Sequence, residues 1–424
     1  MAVGKGSPGS SLSESEIRDV VVQGIPKSMV SGRKILVLTP DSTRTAPLPL
    51  MVKILIETAA PQAARLDFMV ALGTHQLMSE EKIFSLYGMG GKGRADLPPN
   101  VAFMNHRWDL PDQLRKIGTI RSDEIEGLTG GLFKEDIDVS INRSVFDYDM
   151  ILILGPVFPH EVVGFSGGNK YLFPGISGGD FLHFFHWLGA VITCWKTIGF
   201  KNTPTRAVVD RAASMVSVPR WCLAMVVNSS GGLSGLYAGT AEDAWSAAAD
   251  LSTKIHIVYK PKPFHTVLGR SAEMYDELWV GGKVMYKLEP VVADGGKLII
   301  YGPWIKEVSR TWGPEIERIG YHVRDYFLSR MNEWRDVPRG VLAHSTHVRG
   351  VGTYIDGRET PRIDVILATG IPEDVCRRIS LGYMNPGAIR VEDYANRESE
   401  GVLFVDHAGE VLHRLERERI GRPS

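Results

Sequence analysis

Short apolar runs alternate with stretches of helical spacing along most of the 424-residue chain. Ile35–Leu38, Leu66–Leu72, Met150–Leu154, Cys222–Val227, Thr266–Leu268, Lys297–Tyr301 and Asp364–Ala368 are rich in branched side chains at consecutive positions, which is how a strand covered on both faces reads. Leu48–Ala59, Ser79–Leu86, Glu242–Ser252 and Met274–Val292 carry helical periodicity between them. This alternation predicts an α/β fold with largely parallel sheets. Two prolines in Lys260-Pro261-Lys262-Pro263 interrupt the pattern, so an N-terminal domain over 1–260 and a C-terminal α/β domain over 261–424 are expected, with a ligand cleft between them. The last ~30 residues are free to pack back on the first domain. No repeat of fixed period is present, and only the Gly/Ser-rich first fifteen residues read as flexible.

Composition narrows the partners. Forty-eight basic against 49 acidic residues leave a net charge of −1, which excludes a general nucleic-acid or anionic-membrane binder but not a small anionic ligand. Three scattered cysteines without a CxxC pair fit a reducing compartment, and no apolar run reaches the ~18 residues of a membrane span. The start lacks the apolar core of a signal peptide, so a cytoplasmic protein is expected. Glycine (45) and histidine (12) are the counts whose placement decides the chemistry.

Four segments carry candidates. Thr39 to Pro47 follows the first apolar run, where open α/β sheets bind ligands, and Arg44 offers a planar fork for a carboxylate. A helix start capped by Ser42, Thr43 or Thr45 with Pro47 in its first turn accounts for the hydroxyls but not for Asp41 and Arg44. Leu72-Gly73-Thr74-His75 sets an imidazole at a strand end, suited to general acid/base work or to a structural hydrogen bond. Gly155 to Lys170 is the richest, with His160 and Lys170 flanking Gly164, Gly167 and Gly168. Its glycines let backbone approach a ligand and its lysine supplies a charge or an amine nucleophile. Asn169 and Tyr171 stand where a Walker loop needs Gly and Ser or Thr, so it is not one. In the apolar stretch Asp180 to Trp187, His183 and His186 share a helix face at i, i+3, a spacing open to core packing or metal ligation. Gly88-Met89-Gly90-Gly91-Lys92-Gly93 follows a helical run rather than a strand, which removes it as a dinucleotide loop. His344-Ser345-Thr346-His347 reads as structural.

Taken together, Asp41-Ser42-Thr43-Arg44, Gly73-Thr74-His75, Ile141-Asn142-Arg143, Pro159-His160, Gly164-Phe165-Ser166-Gly167-Gly168-Asn169-Lys170 and Phe173-Pro174-Gly175 resemble the lactate racemase family. Val226-Val227-Asn228 and Ala238-Gly239 are similar to it as well. The resemblance implies an isomerase that inverts C2 of a 2-hydroxy acid with a nickel-pincer nucleotide (nickel on a pyridinium-3-thioamide-5-thiocarboxylic acid mononucleotide), a group made and loaded by cofactor-synthesis and nickel-insertion enzymes. By that resemblance Lys170 attaches the cofactor, and Asp41, Thr43, Gly167, Gly168 and Trp279 line its site. His186, with His183 as fallback, ligates nickel. His75 and His160 are the acid/base pair, and Arg44 with Lys283 of Leu278-Trp279-Val280-Gly281-Gly282-Lys283 holds the substrate carboxylate.

The implied chemistry has a physical reason. Removing a proton from C2 would place a carbanion beside a carboxylate, whereas removing hydride leaves a neutral carbonyl. Trp279-Val280 replaces a Tyr-Gln pair of lactate-active members and Glu161 replaces an aromatic residue, which favours a larger or sugar-derived 2-hydroxy acid over lactate. Two other readings stay open. A nicotinamide-dependent 2-hydroxy acid dehydrogenase would need a strand–GxGxxG–helix unit, which is not found. A non-catalytic nucleotide- or metal-binding protein gives no reason for two strand-end histidines.

Overall fold

A computed structural model describes residues 2–418. The chain divides into two compact units: one holds residues up to Phe158, Phe165–Leu182 and Lys201–Ile255, the other Pro159–Gly164, His183–Phe200 and everything from His256 on. The short segments 159–164 and 183–200, which the proline boundary groups with the N-terminal domain, therefore go with the second unit.

The first unit is built on seven strands: β1 (Val3–Gly6), β2 (Lys34–Thr39), β3 (Arg65–Val70), β4 (Val101–Asn105), β5 (Met150–Pro156), β6 (Arg220–Val227) and β7 (Leu233–Gly239), in the spatial order β1-β7-β6-β5-β2-β3-β4. From β6 to β4 every pairing is parallel, while β7 and β1 add antiparallel at one edge. Parallel neighbours need crossovers, and helices Leu48–Thr58 and Glu80–Leu86 supply two of them. Residues 35–38 of β2 are 0% exposed, which is why this strand shows no polar alternation. Strand β2 has β3, its successor, on one side and the later β5 on the other. The order reverses at β2, and in such sheets the crevice beyond the carboxyl ends at the reversal is the ligand site.

Two expectations are corrected here. The first residues are not loose: β1 pairs with β7, and Ser13 forms a reciprocal capping box with Glu16 at the start of helix Glu14–Gly24. Two of the glycines that suggested flexibility are packing sites, since a Cβ on Gly4 would sit 2.4 Å from the Tyr237 ring and one on Gly6 2.6 Å from Leu251. The expected helix Met274–Val292 is broken into Leu278–Gly281 and Lys283–Leu288, with Glu277 still extended before it and Pro290 in the tight turn that ends it.

The second unit carries a five-stranded sheet, all parallel, of β8 (Phe264–Ser271), β9 (Val292–Gly302), β10 (Asp364–Thr369), β11 (Gly382–Tyr383) and β12 (Val402–Ala408), ordered β11-β10-β9-β8-β12. Leu412–Leu415 pairs with Ile257–Lys260, and both belong to this unit. Among the described residues no helix is long and apolar enough to cross a membrane.

Candidate active site

In the first unit the loops after β2, β3 and β5 leave adjacent strands at the same sheet edge. The hydroxyls after β2 do not cap a helix. Helix Leu48–Thr58 starts after Pro47 without a side-chain cap, and the Thr43 hydroxyl and N–H instead donate to Asp41 Oδ1 at 2.6 and 3.1 Å. The other oxygen of Asp41, Oδ2, lies 2.5 Å from Nδ1 of His75. Burial opposes the charge on Asp41, but the His75 bond and charge, the Thr43 hydroxyl and the nearby Arg44 outweigh it and hold its carboxyl far below the usual carboxylate range. Asp41 is buried and His75 is exposed, so the carboxylate fixes an imidazole whose far edge meets solvent.

The turn carrying His75 is itself tied down. Gly73 takes a positive φ of 57° and donates its N–H to the Gly175 carbonyl, while the Trp108 indole donates to the His75 carbonyl at 2.8 Å. Arg44 stacks its guanidinium 5.4 Å from the Phe158 ring centroid. Lys170 follows Gly167 and Gly168, whose φ values of 83° and 57° only glycine adopts readily. Their missing side chains do not open space for a ligand: a Cβ on Gly167 would meet Val157 at 2.6 Å, and one on Gly168 would meet Trp245 at 3.1 Å. Asn142 of the Ile141-Asn142-Arg143 motif donates to His106, and Asn228 shapes the turn between β6 and β7. Both are structural.

The second unit holds His160, His186, Trp279 and Lys283. His160 is 3% exposed; the Val162 N–H donates to its Nδ1 at 3.2 Å and a Glu161 carboxylate oxygen lies 3.4 Å from the same atom. Lys287, itself buried, donates to the Pro159 carbonyl at 2.8 Å and fixes the start of this segment. His183 packs its Nδ1 3.0 Å from where a Cβ on Gly340 would lie. Trp279 lies over His344, ring centroids 4.1 Å apart, and the hydroxyls of Tyr286 and Tyr321 bond the two nitrogens of that imidazole. Burial first, then the charges of His347 and His186, pushes His344 down to about 3, so it stays neutral. The His344 segment thus packs against Trp279. The Lys283 ammonium sits 4.7 Å from the Tyr275 ring centroid.

Residues 15–197 match the lactate racemase N-terminal domain. Through that domain the chain is a homologue of the lactate racemases. It is 24% identical over 280 residues to the lactate racemase of Thermoanaerobacterium thermosaccharolyticum, covering 65% of this chain and 61% of that protein. It is 29% identical over 146 residues to the lactate racemase of Lactiplantibacillus plantarum, covering 34% of this chain and 30% of that one. The matches thus span less than two thirds of either curated relative. A Thermotoga maritima protein of known crystal structure superposes with a TM-score of 0.86 at 32% identity, covering 97% of this chain and 100% of that one. The lactate racemase apoprotein of T. thermosaccharolyticum shares the fold, with a TM-score of 0.71 at 19% identity over 98% of this chain and 100% of that one.

Proposed function

We propose that this protein is a racemase or epimerase that inverts C2 of a 2-hydroxy acid, with a nickel-pincer nucleotide attached to Lys170 and His186 as its protein ligand to nickel. The observation that carries the reading is the Asp41–His75 pair, with Arg44 beside it, at the carboxyl edge of a parallel sheet. Asp41 accepts a hydrogen bond from His75 Nδ1–H, so a neutral His75 ring presents a lone pair at Nε2. His160 is buried and accepts at Nδ1 from the Val162 N–H. Inversion at an alcohol carbon requires a neutral imidazole to take the hydroxyl proton and a protonated one to return it.

The donor set fits the cofactor. Among the described residues no three His, Cys, Asp or Glu side chains converge to hold a metal. A metal that brings two sulfurs and a ring carbon with its organic ligand needs only one imidazole. When bound, that group supplies the hydride acceptor and donor for C2. The chain's residues do the rest. Arg44, with Lys283, holds the substrate carboxylate. His75 Nε2 takes the hydroxyl proton, and Asp41 stabilises the imidazolium that results. His160 is the second acid/base group: from its protonated form it gives a proton to the carbonyl oxygen when the centre closes from the other face, with the Glu161 carboxylate 3.4 Å from its Nδ1. Glu161, only partly buried, is also a hydrogen-bond acceptor suited to the extra hydroxyls of a sugar-derived acid, which supports a substrate larger than lactate.

The test is metal analysis of protein co-produced with the cofactor-synthesis and nickel-insertion enzymes, followed by optical-rotation assays across 2-hydroxy acids from lactate to aldonic acids. About one nickel per chain and inversion of a polyhydroxy acid are expected. No nickel and no inversion of any substrate would discard the reading.

A further inference from the structure

The loop that ends in Lys170 is rich in glycine, and Gly164, Gly167 and Gly168 all take positive φ. Such a segment loses much entropy on ordering, so something must hold it. Four side chains from outside the motif do so. Arg206, on helix Pro204–Ser214 and 4% exposed, donates to the carbonyl of Phe165 at 2.5 Å and of Gly167 at 3.3 Å. Its guanidinium stacks 4.2 Å from the centroid of Trp245, on helix Ala241–His256. The Trp245 indole donates to the Ser166 carbonyl at 2.8 Å, and its Cβ and Cγ fill the space beside Gly168. The Asn169 amide donates to Asp210 at 2.9 Å and Glu242 at 2.8 Å. Each residue from 165 to 169 is thereby pinned by a helix residue that follows it by 39 positions or more, and Lys170 comes next.

The choice of residues is informative. A buried guanidinium is costly, and this one spends its donors on backbone carbonyls two residues apart. A planar fork can bridge two carbonyls, whereas an ammonium on a flexible stem cannot reproduce that geometry. Burial lowers Arg206 to about 10, so the cation persists at neutral pH.

We propose that Arg206 and Trp245 are positioning residues that lock the Gly164–Lys170 loop and hold the Lys170 amine ready for attachment of the cofactor. The second half rests on the reading of Lys170 as the anchor. The test compares wild type, Arg206→Lys and Trp245→Phe, each full length, in two measurements. Hydrogen–deuterium exchange on cofactor-free protein should show residues 164–171 exchanging about tenfold faster in Arg206→Lys, with β2 and β5 protected as in wild type. Intact mass after co-production with the cofactor enzymes should show a several-fold lower fraction of chains with the adduct. Arg414→Lys is the control: Arg414 is another buried arginine on backbone carbonyls, of Ile198 and Trp195, and its loss should leave adduct fraction and loop exchange unchanged. Loop exchange equal to wild type in a folded variant overturns the proposal, as does an equal loss of adduct in Arg414→Lys. Should Arg206→Lys not fold, Trp245→Phe, which keeps the ring and loses only the indole donor, decides by the same readouts. Wild type without adduct discards the anchor role, while the exchange data still decide the lock.

Discussion

Asp41 and His75 come from the ends of neighbouring parallel strands and meet at 2.5 Å, with the second carboxylate oxygen already taken by the Thr43 hydroxyl and N–H. The carboxylate therefore has one task left, to orient the imidazole and to stabilise its protonated form. Asp41→Asn keeps the shape and removes the charge. It is expected to lower kcat on the order of 10²–10⁴-fold with a small change in KM, as for other carboxylate–histidine pairs. Steady-state kinetics in both directions checks this, and a kcat within twofold of wild type would remove Asp41 from the chemistry.

The proposed pairing of His75 with His160 gives a directional prediction. On that proposal each histidine deprotonates one enantiomer's hydroxyl, so His75→Ala and His160→Ala should both abolish racemisation but spare opposite half-reactions. Trapping the 2-keto acid with a carbonyl reagent, in a single turnover of loaded enzyme, should yield product from one enantiomer in the first variant and from the other in the second. Equal trapping from both enantiomers in either variant contradicts the pairing.

Arg44 tests the carboxylate site. Its fork, stacked on Phe158, can meet both oxygens of a carboxylate, which a lysine meets only as a point charge. Arg44→Lys is expected to raise KM by about tenfold or more while kcat falls less, because orientation as well as binding is lost. A rise in KM below twofold would assign the carboxylate to other residues.

The parallel sheets were legible because doubly covered strands read as unbroken apolar runs, and the loops that follow them could be located without knowing the strand order. The order itself was not, since nothing local says that β5 lies beside β2. Gly4 and Gly6 misled for the same reason: the partner that makes them useful, Tyr237 on β7, lies more than 230 residues away. Thr43 was ambiguous between cap and site until the helix start fell at Pro47. Among the proposed site residues, His75, Lys170 and Arg44 stand in recognisable motifs, whereas Arg206 and Trp245 sit in ordinary amphipathic helices. Their role becomes visible only when a buried arginine is seen to spend its donors on a distant loop.

Acid stability offers a test independent of catalysis. His106 is buried, accepts from Asn142 at Nδ1 and bonds the Ser177 carbonyl through Nε2, so its neutral form is fully used; burial lowers it to about 4. His413, also buried, is lowered to about 4, again chiefly by burial. A depressed folded pKa means that the unfolded chain binds the proton first, near pH 6.5, so the contribution is complete above that value and is lost as pH falls toward 4. Each histidine then removes about 2 kcal/mol of stability at pH 5. Guanidinium unfolding at pH 7 and pH 5 should show the decline, and His106→Gln, though less stable at pH 7, should lose about 2 kcal/mol less than wild type between the two. The same loss in both proteins would mean that His106 takes up its proton in the folded state.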